Sequence, residues 1–127
     1  MTQIKKRKRT YSMKIGEMFL AKSRRHWRQW LTQNGGKKRE IWLVYFKKES
    51  GKQTMSYNDS VEEAICFGWI DGVFKSISKE QYVRRFTPRK TTGSNWSAPN
   101  RKRAKKMLDA NRVEGGGLEV MPDDLKT

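Results

Sequence analysis

The sequence contains one cysteine, Cys66, and one histidine, His26. A single thiol cannot close a disulfide within the chain, and one cysteine with one histidine falls short of the ligand sets of familiar zinc sites. We therefore expect no disulfide framework and no structural metal, and no motif indicates a bound cofactor. Cys66 has no histidine at an activating spacing, which favours a buried packing residue over a nucleophile.

Long apolar runs are also missing. No stretch approaches the roughly 18 apolar residues of a membrane-spanning helix, and the basic N-terminus is not followed by the apolar region of a secretory signal. We therefore expect a cytoplasmic protein. With 35% hydrophobic residues, including five Trp and five Phe, the 127-residue chain has apolar material for one core and is too short for two comfortable ones.

Acidic residues are scarce relative to basic ones. The chain has 13 Asp and Glu against 29 Lys and Arg, which gives a formal net charge of +16 and a pI near 10.3. Five of the positive charges lie in residues 5–9, and we predict that residues 1–12 form a disordered basic arm. The rest of the chain keeps 24 basic and 13 acidic residues and a net charge of +11. Such a surplus attracts polyanions.

The first part of the chain predicts a strand followed by a helix. A short apolar run within residues 15–20 indicates the strand, and Ser23 stands where a helix N-cap is expected. Trp27, Trp30 and Leu31 then recur at i, i+3 and i+4, the spacing of one helix face. A following Asn-Gly-Gly is typical of a helix end.

The middle of the chain predicts a buried strand and a second helix. Residues 41–46 are apolar on both faces and too few for a typical helix, which indicates a central strand. The second helix is expected to begin near Asn58, Asp59 or Ser60, where the spacing fits a capping box, and to stop at Gly68.

A hairpin and a third helix complete the regular pattern. Residues 69–74 are expected to form a strand interrupted or turned at Asp71-Gly72, and residues 81–87 a second strand that pairs with it antiparallel. After a loop, Ser97 is positioned to cap a helix with a proline in its first turn.

These elements together predict an α+β fold in a single domain, with a small, mostly antiparallel sheet covered by two or three helices. We expect this domain to span residues 13–112. Residues 113–127 contain three consecutive glycines and little apolar periodicity, which predicts a loose C-terminal tail.

Several short motifs carry more information than composition does. They are Tyr57, Val61-Glu62-Glu63-Ala64, Cys66-Phe67-Gly68-Trp69-Ile70-Asp71-Gly72, Arg85-Phe86-Thr87-Pro88-Arg89 and Trp96-Ser97-Ala98-Pro99-Asn100. In this order and spacing, the chain resembles the bacterial YdeI/OmpD-associated family over residues 18–112. The resemblance implies a link to bacteriocin protection and stress tolerance, and it transfers no catalytic residue. Members usually continue into a basic, helical C-terminal segment, and residues 121–125 resemble only its start.

The interval from Gln81 to Leu108 contains nine basic residues and no acidic one. Phosphate is the natural counter-charge for such a segment, although a solvated helix face and ordinary strand surface would give the same composition. The predicted nucleic-acid or anion-binding residues are Arg84, Arg85, Arg89, Lys90, Ser94, Trp96, Asn100, Arg101, Lys102 and Lys105. Among these, we expect Arg85, Arg89 and Lys102 to share one working surface.

Trp96 has two interpretations. Together with the neighbouring hydroxyl and amide side chains, its ring could stack on a base, which is how single strands are commonly held. The simpler interpretation, which we favour, is a ring packed beneath the start of the third helix.

The carboxylates near these motifs have simple structural interpretations. Asp71 could serve in proton transfer or pair with Arg85 or Arg89, but a turn-forming Asp-Gly is the simpler interpretation. Glu62 and Glu63 are adjacent on a predicted helix and therefore point in different directions. We interpret them as helix-start charges, not as a catalytic pair.

The sequence therefore predicts non-enzymatic binding of an anionic partner, preferably nucleic acid, in a bacterial stress or bacteriocin-tolerance setting. The alternative is a small-anion-binding protein or an enzyme with a pocket near Asp71, Arg85, Arg89 and Asn100. Salt separates the two, because nucleic-acid affinity falls steeply with salt, whereas a pocketed ligand saturates one-to-one and raises the melting temperature.

Overall fold

The computed structural model describes residues 14–90 and 96–126. The predicted arm at residues 1–12 and the candidate Ser94 lie outside the described residues. The strands are β1 (Met18–Phe19), β2 (Ile41–Phe46), β3 (Trp69–Ser76) and β4 (Gln81–Pro88). The helices are α1 (Arg24–Asn34), α2 (Tyr57–Cys66), α3 (Ala98–Asp109) and α4 (Gly117–Val120), with 3-10 turns at Lys48–Ser50 and Asp123–Leu125.

The four strands form one sheet in the order β1-β2-β4-β3. The short β1 runs parallel to β2, whereas β4 pairs antiparallel with both β2 and β3. The predicted α+β fold with a mostly antiparallel sheet is confirmed. The prediction of a central strand is confirmed as well, because β2 lies inside the sheet and five of its six residues are buried.

The alternation of side chains along β2 and β4 separates two faces of the sheet. One face carries Ile41 and Leu43 opposite Phe86 and Arg84, and its apolar residues pack with Trp27 and the other core residues of the helices. The other face carries a smaller apolar cluster of Trp42, Val44 and Val83, against which Ile15 packs. We call these the helix-covered face and the opposite face.

The helix α1 forms as the sequence predicts. The Ser23 hydroxyl accepts a hydrogen bond from the His26 amide at 3.1 Å, which caps the first turn. Trp27, Trp30 and Leu31 are buried on one stripe, and the Trp27 indole donates to the carbonyl oxygen of Ser60 at 3.0 Å. This bond ties α1 to α2.

The helix α2 begins earlier than predicted. The cap is Ser56, whose hydroxyl accepts from the Asp59 amide at 3.0 Å, so Tyr57 takes the first helical position. The predicted start lay too late in the chain, because the Ser56 hydroxyl already caps the helix one residue before Tyr57. The helix ends before Gly68, as predicted. A glycine is required there because φ is +78° and a Cβ would lie 3.2 Å from the Gly116 carbonyl oxygen.

The hairpin of β3 and β4 forms with the predicted antiparallel pairing, and of the two possibilities at Asp71-Gly72 the structure shows an interruption of the ladder and not a turn. Both residues lie inside one continuous strand, and the register shifts between Asp71 and Phe74. A β-bulge absorbs the one extra residue of β3 without ending the ladder. Because of this shift, Asp71 and Phe74 both face the same side as Arg84 and Phe86.

The segment after residue 112 is packed, in contrast to the loose tail that we predicted. The Glu114 amide donates to the Cys66 carbonyl oxygen at 2.9 Å, and Gly117 approaches the same oxygen so closely that a Cβ would lie 2.2 Å from it. Met121 is fully buried in a cluster with Val61, Ile65, Trp96 and Ala104. The segment orders by docking on α2, a contact that its own short, aperiodic sequence does not reveal.

We predict that replacing either of two core residues destabilises the fold strongly. Trp42 is 0% exposed on the opposite face, and Ile65 is 2% exposed against the C-terminal segment. Each change to Ala should lower the free energy of unfolding by about 2–5 kcal/mol, measured by chemical denaturation. Val73, which is 50% exposed, is the control, and its change to Ala should cost about 0.5 kcal/mol or less. Near-neutral effects at both core positions would contradict the packing described here.

Candidate nucleic-acid interface

Most basic residues in the interval 81–108 have carboxylate partners from elsewhere in the chain. The pairs are Arg84 with Asp71, Arg85 with Glu40, Arg101 with Asp124, Lys105 with Asp109 and Lys106 with Glu62. Of the nine cations, only Arg89, Lys90, Lys102 and Arg103 have no carboxylate partner within residues 14–90 and 96–126. The unpaired positive charge is therefore smaller than the sequence suggests and is confined to specific positions.

The predicted surface of Arg85, Arg89 and Lys102 does not form. Arg85 lies on the opposite face of the sheet beside Val83, and its Nε donates to Glu40 Oε1 at 2.5 Å. Asp71 lies on the helix-covered face, so these two residues are separated by the sheet itself. The alternative pocket that required Asp71, Arg85, Arg89 and Asn100 together is therefore wrong as proposed. The physical reason is that side chains alternate between the two faces of a strand, and the predicted pocket combined residues from both faces.

Trp96 is a packing residue, as the favoured interpretation held. It is 9% exposed and belongs to the cluster of Val61, Ile65 and Met121. The guanidinium of Arg89 covers its ring with Cζ 3.8 Å from the ring centroid. The ring is therefore not available as a platform for a base. At the same helix start, the Asn100 side chain accepts from Arg103 and is used internally.

The exposed aromatic rings lie elsewhere, around Arg84. The Arg84 Cζ atom is 4.6 Å from the ring centroid of Tyr57 and 5.0 Å from that of Phe74. Tyr57 is 37% exposed and Phe74 is 62% exposed. Arg103 approaches Tyr57 as well, at 5.8 Å from its centroid. We call Phe74, Arg84, Tyr57 and Arg103, with the adjacent Lys102, the Tyr57 strip.

The α3 end of the strip is held in place by hydrogen bonds. Arg103 Nε donates to Asn58 Oδ1 at 2.8 Å, and its Nη1 donates to Asn100 Oδ1 at 2.8 Å. Amide acceptors orient the guanidinium and leave its charge uncompensated. A crevice of about 300 Å³ lies here between α2 and α3, with Lys102 and Lys106 in its walls. This end of the strip is consequently cationic and fixed.

Tyr57 also lines an aromatic groove of about 450 Å³. Tyr45 and Tyr82 stack in its wall with their centroids 5.0 Å apart and their planes 11° apart, and Lys48 and Lys52 also line it. The Tyr57 hydroxyl donates to Asp71 Oδ2 at 2.7 Å. Burial and this hydrogen bond raise the pKa of Tyr57, so the phenol stays protonated and the ring stays neutral at physiological pH.

Two buried glutamates of α2 form ion pairs with α1 and α3 beside this surface. Glu62 is 2% exposed and Glu63 is 0% exposed. Their interpretation as helix-start charges is therefore incomplete, because it did not include their burial. Burial alone would raise the pKa of each carboxyl group, but hydrogen bonds from surrounding cations outweigh it and hold both pKa values below their ordinary range. The cations are Arg24, Arg28, Lys106 and Arg112.

The partners of this glutamate pair come from three separate segments. Arg24 and Arg28 lie one turn apart on α1, so both guanidinium groups reach the same carboxylate, and Arg28 Nη1 is 2.7 Å from Glu63 Oε1. Lys106 Nζ of α3 is 2.9 Å from Glu62 Oε2, and Arg112 Nη2 is 3.0 Å from Glu63 Oε2. The sequence does contain a sign of this buried network. Glu62 and Glu63 stand inside an apolar run, and Arg24 and Arg28 are spaced four residues apart.

The described residues contain neither a cluster of metal ligands nor a membrane-spanning helix. Among residues 14–90 and 96–126, no group of three or more His, Cys, Asp or Glu side chains is placed to hold a metal ion. In the same residues, no helix is long and apolar enough to cross a bilayer. Burial raises the pKa of the Cys66 thiol to about 11, so it is protonated at neutral pH.

A family model described as "Domain of unknown function (DUF8412)" matches residues 19–120. The chain belongs to this family. The match runs from Phe19 in β1 through Val120 at the end of α4, so the DUF8412 domain includes both ends of the Tyr57 strip and the packed C-terminal helix. Neither a curated protein nor a solved structure gives a significant match to the chain.

We predict that Glu63→Gln destabilises the DUF8412 domain in a pH-dependent way. At pH 7 the change leaves three guanidinium groups without their shared buried charge and should lower the free energy of unfolding by about 2–4 kcal/mol. Since the pKa of Glu63 is lowered by folding, its contribution is present above the unfolded-state pKa of about 4.3 and is lost progressively as the pH falls from that value through the lower folded-state pKa. The difference between wild type and variant should therefore shrink below about pH 5.

Glu80→Gln is the matched control, because Glu80 is exposed and pairs with one lysine, Lys52, at 3.2 Å. Its effect should stay within about 0.5 kcal/mol. Urea unfolding from pH 3 to pH 7 measures all three proteins. A Glu63→Gln variant as stable as wild type at pH 7, or a difference that does not change with pH, would contradict the role given to Glu63.

Proposed function

We propose that the DUF8412 domain binds single-stranded nucleic acid across the Tyr57 strip and acts without catalysis. The observation that carries the proposal is the position of Arg84 between two exposed rings, those of Tyr57 and Phe74, at 4.6 and 5.0 Å. Exposed aromatic faces beside guanidinium groups are how proteins hold unpaired bases.

The distribution of charge supports an elongated anion along the strip. Lys102 and Arg103 have no carboxylate partner in the described part of the chain, and they lie at one end of the strip. Lys48 and Lys52 line the aromatic groove beside Tyr57, although Lys52 also pairs with Glu80. A nucleic-acid backbone that runs from this groove over Tyr57 toward α3 would meet cationic partners on both sides of the ring.

An unpaired strand fits this surface better than a duplex does. In a double helix the base faces are stacked on each other, so rings such as Phe74 gain no partner. Asp71 lies 3.6 Å from Arg84 and offsets part of its charge, which weakens a purely electrostatic contact in the middle of the strip. Stacking on Phe74 and Tyr57 is the main attraction there, and phosphate contacts act at the ends.

The setting of this activity follows from the resemblance stated above. The likeness to the YdeI/OmpD-associated family over residues 18–112 supports a role in bacterial stress or bacteriocin tolerance, and we extend the proposal to that setting. Binding of single-stranded nucleic acid would place the domain in the cytoplasm. RNA and DNA share the bases and phosphates that the strip would contact, so both serve as test ligands.

We predict that Phe74→Ala weakens binding of a fluorescent single-stranded oligonucleotide by about 5-fold to 100-fold, the range expected for one stacked base. Fluorescence anisotropy at several salt concentrations measures the affinity. Because Phe74 is exposed, the melting temperature should change little. Val73→Ala is the control, since Val73 is adjacent and exposed but non-aromatic, and it should leave the affinity within about twofold.

The salt series separates stacking from charge. Phe74→Ala should leave the slope of log affinity against log salt unchanged, whereas Lys102→Met should reduce the magnitude of that slope by about one. An affinity that Phe74→Ala does not change, in a variant that remains folded, would overturn the proposed function.

A further inference from the structure

Arg89, which directly follows β4, differs from the two arginines within that strand, Arg84 and Arg85. Arg84 and Arg85 each have a carboxylate partner, whereas Arg89 contacts the ring of Trp96 and has none in the described residues. Its Nε and Nη2 atoms are buried and have no hydrogen-bond acceptor there. Burial lowers the pKa of Arg89, and the attraction of Asp71 offsets this only in part.

The two unpaired nitrogen atoms lie on one edge of the guanidinium group. The N–H of Nε and one N–H of Nη2 point in the same direction, and together they form a fork that donates to two oxygen atoms of one planar anion. Buried donors are almost always satisfied in folded proteins, because an unsatisfied one costs free energy. An acceptor with two oxygens at carboxylate spacing would satisfy both donors at once.

A crevice of about 420 Å³ lies against Arg89. Its walls include the apolar side chains of Leu31, Phe67, Trp69 and Val120. This volume lies in the range of small-molecule sites and exceeds what a bare inorganic anion fills. Glu114 and Glu119 also line it. Their negative charge, which Arg28 offsets at Glu114, disfavours a ligand of high negative charge.

We propose that this crevice binds a small monocarboxylate with an apolar body, held by the fork of Arg89. The body would pack against the apolar walls and the carboxylate would accept from Nε and Nη2. Since the fork is shielded from solvent in this structure, binding includes a rotation of the Arg89 side chain that turns the fork toward the crevice. The site is separate from the Tyr57 strip and does not depend on the proposed nucleic-acid binding.

Calorimetric titration of the full chain with benzoate tests the site, with inorganic phosphate as the comparison anion. Benzoate should bind with one-to-one stoichiometry and raise the melting temperature, and phosphate should bind more weakly because it lacks the apolar body. No saturable benzoate binding at millimolar concentration would overturn the proposal. Phosphate binding as tight as that of benzoate would overturn the assignment to an apolar monocarboxylate.

Arg89→Met should weaken benzoate binding by about tenfold or more, because the fork is lost while the aliphatic part of the side chain is replaced by one of similar size. Lys90→Met is the matched control. It removes one positive charge at the next residue, whose side chain is exposed, and should change the affinity by about twofold or less. Equal losses in the two variants would mean that net charge, not the fork, attracts the anion, and would overturn the proposal.

A second variant keeps Arg89 in place, which matters if Arg89→Met does not fold. Gly36 lines the crevice, and a Cβ added there meets no atom within 4 Å. Gly36→Leu should therefore fill space in the crevice without displacing the backbone and weaken benzoate binding by about tenfold. Unchanged binding in a folded Gly36→Leu variant would place the anion outside the crevice and contradict the proposal.

Discussion

The structure depends on one buried interaction, the Glu62–Glu63 pair with its four surrounding cations. Charged groups this deep are tolerated only when they are paired and hydrogen-bonded, so α1, α3 and the segment after α3 must all bring cations to α2. The network therefore also positions the start of α2. There Tyr57 contacts Arg84, and Asn58 accepts a hydrogen bond from Arg103. The exposed strip is thus positioned by a buried ionic network.

Ion pairs within the chain also decide which cations remain without a carboxylate partner. A net charge of +16 suggests a cationic surface on every side, but distant carboxylates neutralise most of the basic residues of β4 and α3. Within residues 81–108, the described cations that keep no carboxylate partner are Arg89, Lys90, Lys102 and Arg103. We have proposed a polyanion at Lys102 and Arg103 and a small carboxylate at Arg89.

The sequence was sufficient for features that short-range patterns determine. The cap at Ser23, the buried strand β2 and the hairpin of β3 and β4 follow from local spacing and turn chemistry. The carboxylate partners of Arg84 and Arg85, the cover that Arg89 places on Trp96 and the docking of the C-terminal segment depend on contacts between distant residues. Local periodicity carries no information about these contacts, so the candidate site was only partly predictable.

Mapping of amide chemical shifts during titration with a short single-stranded oligonucleotide tests the central claim most directly. If the Tyr57 strip is the binding surface, as we propose, the largest shifts should fall at Tyr57, Phe74, Arg84 and Lys102. Glu40, which pairs with Arg85 on the opposite face, should shift little. The largest shifts at Glu40 and Arg85, with the Tyr57 strip unperturbed, would contradict the account.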